Sequence, residues 1–171
     1  MTAERAMKIL GIDPSLRSTG YGVIEVNGNE MLALGHGHIP NSPKVLPSRC
    51  LVKIGEEVAR LIDQHKPDAV AIEGLVYVQN TRIALTLGQV RGVIVAAAAK
   101  NDLPIYEYAP RKVKQAVTGL GGAGKTQVGH MVKAVLGLPE IPQPDAGDAL
   151  ALAICHAHNR RGVQIKPAKQ L

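Results

Sequence analysis

Four acidic residues stand at positions from which their side chains could act together. Asp13 and Glu73 each end a short apolar run, and Asp145 and Asp148 are three residues apart, on one face of a predicted helix. Crowded carboxylates raise one another's pKa, and hard divalent cations with oxygen ligands remove that cost. The pattern predicts a site for two Mg²⁺ ions, with Mn²⁺ as an alternative metal.

Two metal ions roughly 4 Å apart can stabilise both the attacking and the leaving oxygen of a phosphoryl displacement. Simpler roles stay open for two of the acids: Asp145 could cap a helix, and Asp13 could form the turn before Pro14. Neither helix capping nor turn formation would explain Glu73, because it follows the apolar run Ala69–Ile72. The four acids together favour phosphodiester chemistry over a structural role.

The net charge is +6, and basic residues are concentrated in one stretch. No acid lies between Glu107 and Glu140, where the basic residues are Arg111, Lys112, Lys114, Lys125 and Lys133. Such a stretch predicts a polyanionic partner, with a solvated basic face as the alternative. Because Phe and Trp are lacking and Tyr occurs only four times, extensive base stacking is not expected.

The segment Gly119–Thr126 matches the phosphate-loop pattern G-x-x-x-x-G-K-[ST]. That loop needs a strand directly before it, whereas Arg111–Thr118 carries its basic residues at helical spacing. No nucleoside triphosphate is therefore expected as a ligand. The glycine-rich turn and Lys125 suit a phosphate of a DNA backbone instead.

The predicted elements would bring the acids to one end of a sheet. The strands Lys8–Asp13, Gly20–Val26 and Met31–Ile39 form an antiparallel meander, and Asp68–Glu73 and Leu103–Tyr106 then alternate with helices. This order predicts an α/β, RNase H-like fold, in which a mixed five-stranded sheet is flanked by helices. A doubly wound dinucleotide-binding sheet would lack the opening meander.

The chain has 171 residues, of which 46% are hydrophobic, enough for one domain with a real core. We predict a single domain at residues 1–159 and a basic, mobile tail at 160–171. Cys50 and Cys155 form no metal or redox motif, and the longest apolar stretch, Gly92–Ala99, is far shorter than the roughly 20 residues that span a bilayer. These features predict a cytoplasmic protein without a membrane partner.

Five motifs occur in the order of a known family. They are GIDPSLRSTGYGV at 11–23, AIE at 71–73, LGQVRG at 87–92, VKQ at 113–115 and DAGDALA at 145–151. Together they resemble the RuvC family of crossover-junction endodeoxyribonucleases, and the likeness runs from about Lys8 to His158. The ordered set with all four acids is far more specific than the opening motif alone.

The resemblance implies that Asp13, Glu73, Asp145 and Asp148 are the Mg²⁺-binding catalytic acids. It also implies that Lys114 and Lys125 lie near the cleaved strand; we add Arg111, Lys112 and Tyr77 as further DNA-binding residues. The family aromatic expected at Val76 is absent, and Tyr77 is one position later.

The activity implied is that of a homodimer that resolves four-way (Holliday) junctions. Each subunit nicks one of two strands of like polarity and leaves 5′-phosphates, in recombination and DNA repair, beside a branch-migration helicase complex. Small residues spaced along the predicted helix Arg82–Lys100 could serve the dimer or could pack on the chain's own sheet; they are Ala84, Gly88, Gly92, Ala96 and Ala99.

Three other functions remain open from the sequence. Asp13–Gly20 also resembles the phosphate loop of sugar kinases and actin-like ATPases, but those enzymes close two RNase H-like domains over ATP. The chain could also be a non-catalytic junction-binding module with structural acids. Finally, it could be another nuclease of the same fold with a different substrate.

Overall fold

A computed structural model describes residues 5–75, 78–161 and 168–171. In this part of the chain the strands are β1 (Met7–Asp13), β2 (Ser18–Asn27), β3 (Glu30–Pro40), β4 (Ala69–Glu73), β5 (Ile105–Tyr108) and β6 (Lys169–Gln170). The helices are α1 (Pro47–His65), α2 (Thr81–Ala99), α3 (Pro110–Thr118), α4 (Lys125–Leu136) and α5 (Pro144–Arg161). The strands form one sheet in the order β3-β2-β1-β4-β5-β6.

The sheet is mixed, as predicted. β1, β2 and β3 form the antiparallel meander, whose tight turn uses Gly28 with a φ of 55°, while β1, β4 and β5 run parallel to one another. Helical crossovers precede β4 and β5, which is why those strands are parallel. The RNase H-like arrangement is confirmed.

A sixth strand was not predicted. Lys169 and Gln170 pair antiparallel with Glu107 and Tyr106 of β5. A polar dipeptide has no periodicity from which a strand could be predicted, so this pairing emerges only from the folded sheet. The end of the predicted tail thus joins the sheet, and α5 extends to Arg161, two residues beyond the predicted domain boundary.

Helices cover both faces of the sheet. Ile9 of β1 faces a core shared with α3, α4 and α5, whereas Leu10 and Ile12 face a second core beneath α1 and α2. Alternate residues of a strand point to opposite faces, so one short strand contributes to both cores. This two-sided burial explains the continuous apolar run that leads to Asp13.

Helix α5 lies directly on the sheet because glycines remove the side chains between them. A Cβ added to Gly11 would lie 2.0 Å from the carbonyl oxygen of Ala149, and one added to Gly20 would lie 2.0 Å from that of Asp145. The first turn of α5 is thereby held against β1 and β2. Since Asp13 pairs with Gly20 across β1 and β2, this contact places Asp145 beside the end of β1.

Candidate active site

Asp13 and Glu73 meet at the end of two parallel strands. The residues before them, Ile12 and Ile72, are partners in the register of β1 and β4. The two side chains share a hydrogen bond, so one carboxyl group carries a proton that the other accepts. A buried pair of acids is unfavourable with both members ionised, unless a cation lies beside them.

Burial and like charge raise the pKa of both acids. For Asp13 the pKa rises from 3.8 to about 8, chiefly through burial and then through the charges of Glu73, Asp148 and Asp145. For Glu73 burial is again the largest cause and Asp148 adds to it, while the bond with Asp13 acts in the opposite direction. Lys125 favours the ionised form of both.

Asp13, Glu73 and Asp148 line one open cavity of about 290 Å³, which we call the acid cavity. Its lining also includes Lys114 and Lys125, and Lys125 Nζ lies 3.5 Å from Asp148 Oδ2. Carboxylates from two strands and one helix therefore face the same space as two lysines. Such a cavity suits a phosphate flanked by cations.

Asp145 is held slightly apart from these three acids. Its Oδ2 accepts hydrogen bonds from Ser18 Oγ at 2.5 Å and from Gln143 Nε2 at 3.2 Å. It does not line the acid cavity, yet its charge contributes to the raised pKa of Asp13. Neither Ser18 nor Gln143 was a predicted site residue, because a serine in a strand and a glutamine before a helix give no distinctive pattern.

The donor set fits a hard divalent cation. Within residues 5–75, 78–161 and 168–171, no three His, Cys, Asp or Glu side chains already form a metal-ligand set. The available donors are nevertheless all carboxylate oxygens, and positive charge would restore the ionised forms of Asp13 and Glu73. Asp145 and Asp148 each use only Oδ2 in these contacts, so each retains a further oxygen that could bind a metal.

The structure separates the predicted basic residues into two groups. Lys114 of α3 and Lys125, the first residue of α4, line the acid cavity. Lys112 points elsewhere, with its Nζ 5.6 Å from the centre of the Tyr108 ring, and Arg111 packs over Gly121. Tyr77 lies outside the described residues.

The glycine-rich segment Gly119–Thr126 does not have the surroundings of a phosphate loop. Helix α3 precedes it and ends at Gly119, whose φ of 80° suits glycine, and α4 follows from Lys125. The loop requires a strand in the place of α3. Its role in this fold is to place Lys125 at the acid cavity.

Arg91 was missed as a site residue. It is buried in α2, where its guanidinium donates to the backbone carbonyl of Glu73 and, at 2.5 Å, to the carboxylate of Glu107. The end of β4 is thus anchored to α2 and β5. An arginine among the aliphatic residues of LGQVRG was the available signal, since buried arginine is rare without a partner.

Comparisons with known proteins agree on one family. The family model for "Crossover junction endodeoxyribonuclease RuvC" matches residues 9–156. Proteins of that name from Pelotomaculum thermopropionicum and Vibrio vulnificus are 50% and 53% identical, over 90% of this chain and 94% and 88% of theirs. The structure "T. thermophilus RuvC in complex with Holliday junction substrate" superposes with a TM-score of 0.89 at 34% identity, covering 96% of this chain and 99% of that one. The chain belongs to the RuvC family of crossover-junction endodeoxyribonucleases.

Proposed function

We propose that this protein resolves four-way DNA junctions by divalent-metal-dependent hydrolysis of the backbone. The observation that carries the proposal is the acid cavity, where Asp13, Glu73 and Asp148 face Lys114 and Lys125. Its membership of the RuvC family and its similarity to a T. thermophilus protein in complex with Holliday junction substrate support the choice of DNA substrate. The enzyme would nick two strands of like polarity and leave 5′-phosphate ends, in recombination and DNA repair.

In this proposal Asp13, Glu73, Asp145 and Asp148 hold the metal, which we assign as two Mg²⁺ ions, replaceable by Mn²⁺. When bound, the ions supply charge that activates water and stabilises the phosphorane-like transition state. The carboxyl proton shared by Asp13 and Glu73 must leave before both acids can act as ligands. Metal binding is therefore expected to strengthen as the pH rises.

Lys114 and Lys125 would bind the phosphate oxygens on either side of the reacting bond. Both are long cations at the edge of the acid cavity, where they favour an approaching polyanion. Lys125 starts α4, so the backbone N–H groups of that helix terminus add to its field. In the free protein, the contact with Asp148 partly neutralises the charge of Lys125.

A homodimer is proposed through α2. Val90, Arg91, Ile94 and Ala98 face the chain's own core, whereas Gly88 and Gly92 are exposed and a Cβ on either would meet no atom within 4 Å. Ile83 and Leu85 are also exposed on this helix. An open strip of small and apolar residues suits close packing against a second copy, and paired nicking needs two sites.

Length and composition alone would let α2 cross a membrane. Its buried face, however, carries Arg91 paired with Glu107 and packs within a helix-covered sheet. We therefore assign the exposed apolar strip to the dimer.

We further propose that the protein is a cytoplasmic enzyme that works beside a branch-migration helicase. Its nuclease domain would comprise residues 1–159, followed by a basic tail at 160–171.

One experiment separates this proposal from its alternatives. The protein is incubated with Mg²⁺ and a synthetic four-way junction, the matching linear duplex or an RNA–DNA hybrid, and products are mapped on sequencing gels. Symmetrical nicks confined to the junction are expected. Preferred cleavage of the hybrid or duplex would indicate another nuclease of this fold, and tight junction binding without cleavage would indicate a non-catalytic module.

A further inference from the structure

A second, apolar pocket of about 230 Å³ lies beside the acid cavity, between the first turns of α4 and the segment that leads into α5. We call it the α4–α5 pocket. Apart from Thr126 and two charged residues at its edge, its lining consists of aliphatic and proline side chains and two glycines: Val128, Gly129, Ile141, Pro142, Pro144 and Gly147. Lys125 and Asp148 belong to both this pocket and the acid cavity, so the two adjoin.

The two glycines set the width of the α4–α5 pocket. A Cβ added to Gly129 would lie 3.2 Å from Ile141 Cγ2, and one added to Gly147 would lie 3.4 Å from Pro142 Cγ. Both glycines are helical and neither has a positive φ, so the backbone does not require them. Glycine is less favourable than alanine inside a helix, but here the lack of a Cβ lets Ile141 and Pro142 approach the two helices closely.

The lining of the α4–α5 pocket suits a nucleobase better than the sugar or the phosphate of a DNA strand. A phosphate would be held at Lys125, whereas an apolar interior with Ile141 still 44% exposed suits the face of a nucleobase. The size is adequate, because an apolar cavity of about 150 Å³ already admits a benzene ring. Turning a base outward costs the free energy of unstacking and unpairing it, and the cost is least for a base that is not fully paired.

We propose that the α4–α5 pocket receives the nucleobase adjacent to the reacting phosphate and thereby selects the sequence at which a junction is cut. This inference rests on the proposed function, since it presupposes a junction in the acid cavity. The acids and lysines would act on any sequence, while the apolar pocket would distinguish the bases by size and by their exocyclic groups. Cleavage chemistry and sequence choice would thus reside in adjoining but separate sets of residues.

Two variants change the α4–α5 pocket in opposite directions. Gly129→Val narrows it against Ile141, and Ile141→Ala widens it by truncating a half-exposed side chain whose loss should not impair folding. Val52→Ala, at a similarly exposed position on α1, is the matched control. Each protein is tested on junctions in which the base beside the cleavable phosphate is A, C, G or T, and single-turnover rates are compared.

We expect Ile141→Ala and Gly129→Val to change the ratio of rates between the best and worst base by roughly tenfold, the scale at which a pocket distinguishes one small group. Val52→Ala should leave the ratios unaltered. If both pocket variants lower all four rates equally, or change none, the pocket does not read a base and the inference is overturned. A wild-type protein that cuts no junction would instead overturn the proposed function.

A second readout is independent of cleavage. Junctions carry 2-aminopurine at one position near the crossover and are bound in Ca²⁺, and the fluorescence reports unstacking of that base. We expect an increase for wild-type protein at the position beside the reacting phosphate, diminished at least threefold by Gly129→Val at saturating protein. An equal increase with both proteins would contradict occupation of the pocket by a base, even if sequence ratios change.

Discussion

Two carboxylates at neighbouring strand ends, Glu73 and Glu107, have opposite surroundings. Glu107 on β5 is bound by the buried guanidinium of Arg91 and lies 3.5 Å from Lys169 Nζ. Glu73 on β4 faces Asp13 and Asp148 instead, and the same arginine touches only its backbone carbonyl. The sheet thus places two similar acids side by side, one neutralised by the chain and one left among like charges.

The difference shows how a structural acid can be told from a functional one. A buried carboxylate with a dedicated cation has its charge compensated within the fold, and the pair is needed because either ion alone would be buried without a partner. Acids that raise one another's pKa cost stability, and such sites are typically kept for chemistry. Arg91 links the two acids, because it binds the carboxylate of Glu107 and the backbone carbonyl of Glu73.

The largest effect is expected from Asp148→Asn, which removes the charge of a proposed metal ligand from the acid cavity while keeping the side chain's size. Cleavage of a four-way junction with Mg²⁺ should fall by more than about 10²-fold, beyond the loss usual for an outer partner of a ligand. Junction binding, measured by gel shift in Ca²⁺, should persist or tighten because a negative charge is gone. Glu107→Gln is the matched comparison and should lose less than about tenfold; equal losses would remove the distinction between the two acids.

Arg91→Met should have the largest effect on stability. It leaves Glu107 buried without its main partner, and breaking such a pair costs about 3–5 kcal/mol in the free energy of unfolding, measured by urea denaturation. Arg91→Met combined with Glu107→Leu should regain much of this loss, because no unpaired charge remains. If the double variant is as unstable as the single one, the pair is not what stabilises the end of β4.

The acid cavity should make stability fall with rising pH when no divalent metal is present. Asp13, whose pKa is raised to about 8 in the folded state, keeps a proton that the unfolded chain has released above its ordinary value of 3.8. The folded state therefore binds more protons, and stability declines through this window. Burial lowers the pKa of His156 to about 4, so below pH 6.5 the unfolded chain binds a proton that the folded state does not. This makes stability rise with pH there, and pH 6.5–8 is therefore the range in which to measure the effect of Asp13.

In that range Tm should decrease for the metal-free wild type and much less for Asp13→Asn. Mg²⁺ at about 100 times its Kd should raise the wild-type Tm at pH 8 by roughly 5–10 °C. Na⁺ at matched ionic strength controls for screening. A wild-type Tm that neither falls from pH 6.5 to 8 nor responds to Mg²⁺ would show that the acids are not an uncompensated metal site.

The sequence was sufficient for the parts of the molecule that local patterns determine. Apolar runs ending in Asp13 and Glu73 predicted the strand ends, and spacing placed Asp145 and Asp148 on one helix face. The contribution of Gly11 and Gly20 to the close approach of α5 to the sheet was not predicted. A glycine inside a strand reveals nothing about which backbone will lie against it.

Contacts between distant residues could not be predicted. The bonds of Arg91 to Glu73 and Glu107 join three elements, and the pairing of Lys169 with Glu107 depends on where the chain's end returns to the sheet. The sequence also grouped Lys112 with Lys114, because charge patterning along the chain does not show which side of a short helix meets the acids. In the structure, Lys114 of α3 lines the acid cavity, whereas Lys112 lies over the Tyr108 ring.

The smallest predicted effect separates those two lysines. Lys114→Ala should weaken junction binding several-fold and reduce the slope of log Kd against log salt by about one, since each phosphate contact contributes roughly 0.9. Lys112→Ala should leave the slope nearly unchanged, because its Nζ lies over the Tyr108 ring and not in the acid cavity. Binding is measured from 50 to 200 mM salt in the Asp148→Asn background with Ca²⁺ in place of Mg²⁺, so that little cleavage is expected. Equal slopes for the two lysine variants would mean that DNA covers both sides of α3, and the acid cavity alone would not define the DNA path.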